Sequence, residues 1–121
     1  MLIEQPARFL RLLYPHALWR MSAEERAVYL TFDDGPIPEA TPFILDTLDA
    51  FDAKATFFMV GDNVRKYPAL FDEVVSRGHQ VGNHTFHHLG SFKHWMLTYA
   101  VDVTKAQALI PSPYFRPPHG W

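Results

Sequence analysis

Cysteine is absent from the 121-residue chain, which excludes disulfides, thiolate metal sites and cysteine nucleophiles. Any metal must therefore be held by His, Asp or Glu. No apolar run approaches the ~18–20 residues of a membrane-spanning helix, so no membrane span is expected. No secretory signal is expected either. Leu10, Leu12, Leu13, Leu18 and Trp19 are interrupted by Arg11 and Pro15 and preceded by Glu4 and Arg8. They supply neither the continuous apolar core of about 7–15 residues nor the small-residue cleavage site such a signal needs. The compartment stays open between cytoplasm and cell envelope, and residues 1–25 read as a helical and turn segment packing against the domain. Nor is there an excess of positive charge: 11 Lys and Arg against 13 Asp and Glu give a net charge of −2. The basic residues are scattered rather than striped, so no nucleic-acid partner is expected. Internal repeats and low-complexity tracts are likewise lacking.

What remains has the composition of a globular chain, 48% hydrophobic and 20% charged. Its length suits one domain or part of one. Residues 7 to 20 are expected to be helical in part, with Phe9, Leu12 and Leu13 at helical spacing. The apolar run Ala27 to Phe32 reads as a buried strand. Thr41-Pro42 predicts a helix start, with a hydroxyl N-cap and proline in the first turn. Ile44, Leu45, Leu48 and Phe51 would form that helix's inner face. Ala55 to Val60 reads as a second buried strand, ended by Gly61. Pro68 to Arg77 reads as a helix with Leu70, Phe71, Val74 and Val75 inward, and Gly78 suits the left-handed position after it. His79 to Asn83 is a third strand. Lys93 to Ile110 predicts a longer helix with Met96, Tyr99, Val103, Ala106 and Ile110 on one stripe. Tyr114-Phe115-Arg116 begins a fourth strand after Pro111-Ser112-Pro113.

Strands alternating with helices imply βαβ units and a parallel sheet. In such folds ligands gather at the carboxyl ends of the strands. Asp33, Asp34, His84, His88 and Arg116 all fall there. Unpaired charges in an apolar interior cost several kcal/mol, so the adjacent carboxylates Asp33 and Asp34 call for a cationic partner at the strand tip. His84 and His88 are four residues apart in Asn83-His84-Thr85-Phe86-His87-His88. With one carboxylate from Asp33 or Asp34 they form a two-histidine, one-carboxylate set suited to Zn²⁺ or a related divalent ion. The other aspartate is then free for general-base work. His87 reads as a bystander rather than a ligand.

Thr31-Phe32-Asp33-Asp34-Gly35-Pro36, His84-Thr85-Phe86-His87-His88 and Phe115-Arg116-Pro117-Pro118-His119-Gly120 together resemble, in order, the first three motifs of the polysaccharide deacetylases. These are the NodB-homology or carbohydrate esterase family 4 proteins. The resemblance runs from Arg26 onward. It implies a distorted parallel (β/α) barrel, metal-dependent hydrolysis of N-acetyl groups, and an acetylated polysaccharide such as chitin or peptidoglycan as substrate. It implies Asp33 as catalytic base, with Arg116 orienting it, and Asp34, His84 and His88 as ligands of a divalent metal, Zn²⁺ first and Co²⁺ or Ni²⁺ next. Thr85 would brace the loop holding His88, and Pro117 and His119 would lie at the substrate and oxyanion side. Position 119 is His where the family commonly has Tyr.

The family's fourth and fifth motifs, which carry an acetyl-pocket Trp and a general-acid His, have no counterpart after His119. Residues 26–121 are accordingly expected to be the N-terminal part of a larger barrel, apparently incomplete. Two other readings stand beside the deacetylase. One is a non-catalytic remnant that binds metal or glycan without turnover. The other is a non-haem iron oxygenase, against which the adjacent Asp pair and the βαβ order argue.

Overall fold

Ala55–Met59, five residues of apolar and β-branched character, form the middle strand of a three-stranded parallel sheet and are buried at all but Thr56. The computed structural model describes residues 9–22, 24, 26–91 and 94–120. In chain order the elements are α1 (Leu10–Leu13), β1 (Leu30–Asp33), α2 (Thr41–Ala50), β2 (Ala55–Met59), α3 (Gly61–Lys66), α4 (Pro68–Ser76), β3 (Gln80–Asn83) and α5 (Met96–Gln107). A 3₁₀ turn at Pro118–Gly120 follows. The strands lie in the order β1-β2-β3, with Asp33 opposite Phe58 and Met59 opposite Asn83. This is the parallel α/β arrangement expected from the alternation of elements.

The core sits between β2 and the helices. Leu45 and Leu48 of α2, Phe57 and Met59 of β2, Val64 of α3, Val74 of α4 and Ile110 are buried together. Phe32 stacks on Phe57 with ring centroids 5.2 Å apart, joining β1 to that cluster. Gly78 takes the expected left-handed conformation after α4, with φ of 81°. Arg77 then reaches Asp46, Asp49 and Glu73, tying α4 to α2.

Several expectations need correction. β1 is shifted to Leu30–Asp33 and is not buried: Val28, Tyr29 and Leu30 are exposed. Among the described residues β1 pairs only with β2, so its outer flank has no partner. Phe51, Val75 and Met96 are exposed rather than inward, each lying at or beyond the edge of its helix's packed stripe. Thr41 does not cap α2; its hydroxyl accepts the Ile37 N–H at 2.8 Å, closing the preceding turn. Gly61 does not end a strand in a loop but opens α3, a six-residue polar helix with no apolar periodicity to announce it. The helix expected from Lys93 begins at Met96, and Lys93 lies outside the described residues. The fourth strand is reduced to one parallel bridge, Asn83 to Phe115. Phe9, Leu12 and Leu13 are exposed, so the described part of the N-terminal segment does not pack as expected.

Candidate metal centre

Asp33 is the last residue of β1, and Asp34 extends the pairing by one bond, its N–H donating to the Phe58 carbonyl at 3.1 Å. The backbone then turns at Asp34, where φ is 72°. Asn63 of α3 holds that turn by donating to the Asp34 carbonyl at 2.7 Å. The turn separates the two carboxylates. Asp33 accepts a hydrogen bond from Arg116 Nη1 at 2.8 Å, and the same nitrogen donates to Thr31 Oγ1 at 3.0 Å. The Arg116 guanidinium also lies over the Phe58 ring, 4.1 Å from its centroid. Asp34 instead faces two imidazoles, with Oδ1 3.0 Å from His88 Nε2 and 3.4 Å from His84 Nε2.

The histidines leave β3 on a loop built to hold them. His84 is buried, and its Nδ1 stands 2.6 Å from the Arg116 carbonyl. A carbonyl can only accept, so Nδ1 carries the proton and Nε2 presents a lone pair toward Asp34. Burial pushes the His84 pKa below its ordinary value, against the opposing effects of the Arg116 carbonyl and the Asp33 and Asp34 charges. A neutral imidazole is the form that ligates metal. Thr85 is fully buried and accepts the Leu89 N–H at 3.1 Å on its hydroxyl, closing the loop around His88. Asn83 is buried with its amide fully used. It accepts the Thr85 N–H at 2.8 Å and donates to the Val103 carbonyl and to Gln107 Oε1.

One ligand atom from each of Asp34, His84 and His88 falls within 4.8 Å of the others. Ligands about 2.0–2.1 Å from a tetrahedral Zn²⁺ stand roughly 3.3–3.4 Å apart, close to the 3.0 and 3.4 Å separations here. The donor set therefore fits a divalent ion. Asp34 is 70% exposed, so the site opens outward and leaves coordination positions facing solvent.

Of the residues singled out in the sequence, Asp33, Asp34, His84, His88 and Arg116 are brought together. His119 joins them at the rim: it is exposed, and its ring meets that of His88 edge-on at 4.9 Å. Pro117 is half-buried and, lacking an N–H, can offer only its carbonyl. His87 is outside the ligand set, but it is not idle: its Nδ1 donates to Asp102 of α5 at 2.5 Å. Sequence reasoning missed Asn63, Asn83 and Asp102, which act through backbone groups and carry no spacing signal.

The sequence profile of the polysaccharide deacetylase family matches residues 20–121. A peptidoglycan-N-acetylglucosamine deacetylase of Bacillus cereus is 45% identical over 74 residues, covering 61% of this chain and 35% of that protein. A chitooligosaccharide deacetylase of Bradyrhizobium sp. is 51% identical over 63 residues, covering 52% of this chain and 29% of that protein. Among solved structures, the peptidoglycan deacetylase PdaC from Bacillus subtilis superposes with a TM-score of 0.74 at 33% identity, covering 83% of this chain and 52% of that one. The chain thus spans about a third of the curated relatives it matches. A profile matched from residue 20 onward, across the segments that carry both carboxylates, both imidazoles and Arg116, makes this chain a member of the polysaccharide deacetylase family.

Proposed function

We propose that this chain carries the metal-binding and general-base part of a site that hydrolyses N-acetyl groups on N-acetylglucosamine-containing polysaccharide, chitin-like or peptidoglycan. The observation that carries the reading is the division of two adjacent carboxylates. Asp34 faces His84 and His88, while Asp33 is held apart by Arg116. Asp34, His84 and His88 would hold the divalent ion, Zn²⁺ in the first instance. When bound, such an ion polarises an acyl carbonyl and makes water a better nucleophile at neutral pH.

The chain's own residues do the rest. Asp33 accepts the proton of the attacking water, and Arg116 fixes the direction of its carboxylate from two anchors, the Thr31 hydroxyl and the Phe58 ring. Water adds to the acetamide carbon, the proton held on Asp33 passes to the departing nitrogen as the carbon–nitrogen bond breaks, and acetic acid and the amine leave and exchange a proton in solution as acetate and ammonium. Pro117 and His119 border the open side of the site, where a sugar ring would lie. The substrate class is supported by the names of the relatives, which act on peptidoglycan and chitooligosaccharide.

The test is acetate release from N-acetylglucosamine oligomers by the full chain supplied with Zn²⁺. The expected result is release abolished by a chelator and lowered by Asp33→Ala by about 10²- to 10⁴-fold, the usual contribution of a positioned base. Oligomer binding without any acetate release would replace this reading with the non-catalytic one.

A further inference from the structure

We propose that Asp102 is a positioning residue for His88: its buried carboxylate, reaching in from α5, fixes the backbone between the two histidine ligands. The proposal rests on the metal reading above and concerns how that site is held in shape.

Asp102 is only 4% exposed. Burial raises its pKa, but bonds from the His87 N–H, the His87 ring and the Phe86 N–H outweigh it, and the carboxyl is held below its ordinary range. Oδ2 accepts the Phe86 N–H at 2.8 Å and the His87 N–H at 2.9 Å, and Oδ1 accepts the His87 ring N–H at 2.5 Å. Both oxygens are thus spent on the residues lying between His84 and His88. Neither ligand is touched directly.

The loop needs such a tether. Thr85 and His88 flank the tethered pair, and both are non-glycine residues at positive φ, 65° and 56°. Backbone of this kind costs roughly 1–3 kcal/mol per residue and persists only where its surroundings over-determine it. On one side the restraint comes from α3, whose Gly61 and Asp62 N–H groups donate to the Thr85 and Phe86 carbonyls at 2.9 Å. On the other side it comes from Asp102. His84 also has its own brace, the Arg116 carbonyl at Nδ1. Among the described residues His88 has no hydrogen-bond partner at Nδ1; its ring has edge-on contacts with the His84 and His119 rings, and its backbone carries the rest of its placement.

Chemistry explains the residue type. A carboxylate has acceptor capacity for all three donors, whereas an amide of the same shape has one accepting oxygen and two N–H groups of its own. That oxygen could still accept both backbone N–H groups, and a neutral His87 ring can turn an unprotonated Nδ1 toward the amide, so the variant of similar volume that removes every acceptor is Asp102→Leu. Partners bonded directly to metal ligands typically account for 10- to 100-fold in metal affinity; Asp102 acts one residue removed, and a loss at the low end of that range is expected here.

Co²⁺ titration of the full chain, followed by visible absorption and by calorimetry, tests this. Wild type should bind one ion. Asp102→Leu should bind about 10-fold more weakly, the low end of what partners of metal ligands contribute, and its spectrum at saturation should differ because the backbone before His88 is no longer held in place. Equal affinity, or weaker binding with an unchanged spectrum at saturation, would overturn the proposal, since a merely structural role lowers only the folded fraction. Should Asp102→Leu fail to fold, His87→Ala decides: loss of one of the three bonds predicts a roughly 3- to 10-fold weaker site, and an unchanged one overturns the proposal. A wild-type chain that binds no Co²⁺ removes the metal reading and this inference together. Binding that is indifferent to both variants removes only the inference.

Discussion

Two loops supply the ligand set, and they are held by different means. The His84–His88 loop is buried at His84, Thr85 and Phe86, and side chains from three places fix it: Asn83, Asp102 and the Thr85 hydroxyl itself. The loop after β1 is held through its backbone, by the Phe58 carbonyl, Asn63 and the Val60 N–H, and it leaves the Asp34 carboxylate largely in solvent. The difference is one of preorganisation. The imidazole side of the proposed metal site is held in place by the fold, whereas the exposed Asp34 carboxylate is not. Damage to the first loop should therefore cost fold and site together, and damage to the second should cost the site alone, and less.

The largest expected effect is that of Asn83→Ala. It strips the partner from the buried Thr85 N–H, and a buried group left unsatisfied costs about 1–3 kcal/mol; the bonds to the Val103 carbonyl and to Gln107 go as well. Urea unfolding without metal should show the loss, and a full-strength apo protein would break the claim that the fold holds this loop in place. Gly61→Ala attacks the same loop from α3. Its added methyl would lie 2.6 Å from Phe86 Cδ2 and 3.2 Å from Ala106, with both neighbours buried. Overpacking of this kind costs roughly 1–3 kcal/mol, and the melting temperature should fall accordingly. Asn63→Ala sharpens the contrast from the other loop. Only one exposed hydrogen bond is lost, so about 0.5–1 kcal/mol or less is expected, with metal affinity changed more than apo stability.

The smallest effect concerns pH. His79, just before β3, is buried like His84 just after it, but its Nδ1 is occupied by the Ala55 N–H and its Nε2 has no partner among the described residues. Burial lowers its pKa below 6.5, helped by Lys54 and Arg77 and opposed by Asp49. The unfolded chain then binds the proton more readily. The stability linked to His79 is complete above pH 6.5 and declines as pH falls from there toward the folded pKa. His79→Gln should flatten that part of the stability profile, and an unchanged slope would assign it to another group.

The chemistry was more legible than the packing. Asp33 and Asp34 closing an apolar run, and two imidazoles four apart after another, can be read because ligand-type residues at strand ends of a parallel sheet converge on one site, although both carboxylates are exposed rather than buried. Parallel topology followed from the alternation of elements. The sheet's exposed edge did not, because hydrophobicity reports a residue and not its neighbours: Val28 and Tyr29 read as core and lie outside it. α3 escaped notice because a single apolar side chain, Val64, in six residues sets up no periodicity. Asp102 was invisible for a related reason, since an acid in a helix announces burial only once its donors, fifteen and sixteen residues away in sequence, are known. Positive φ at Asp34, Thr85, His88 and His119 is foretold only weakly by residue type, since Asp and His adopt it more readily than most residues and Thr does not.

The central claim is that Asp34, His84 and His88 form one divalent-metal site. Calorimetric titration of Zn²⁺ into the full chain, beside a His84→Ala, His88→Ala double variant, tests it most directly. Saturable one-to-one binding that the double variant loses is the predicted result. Absence of saturable binding, or binding that survives both substitutions, would contradict it.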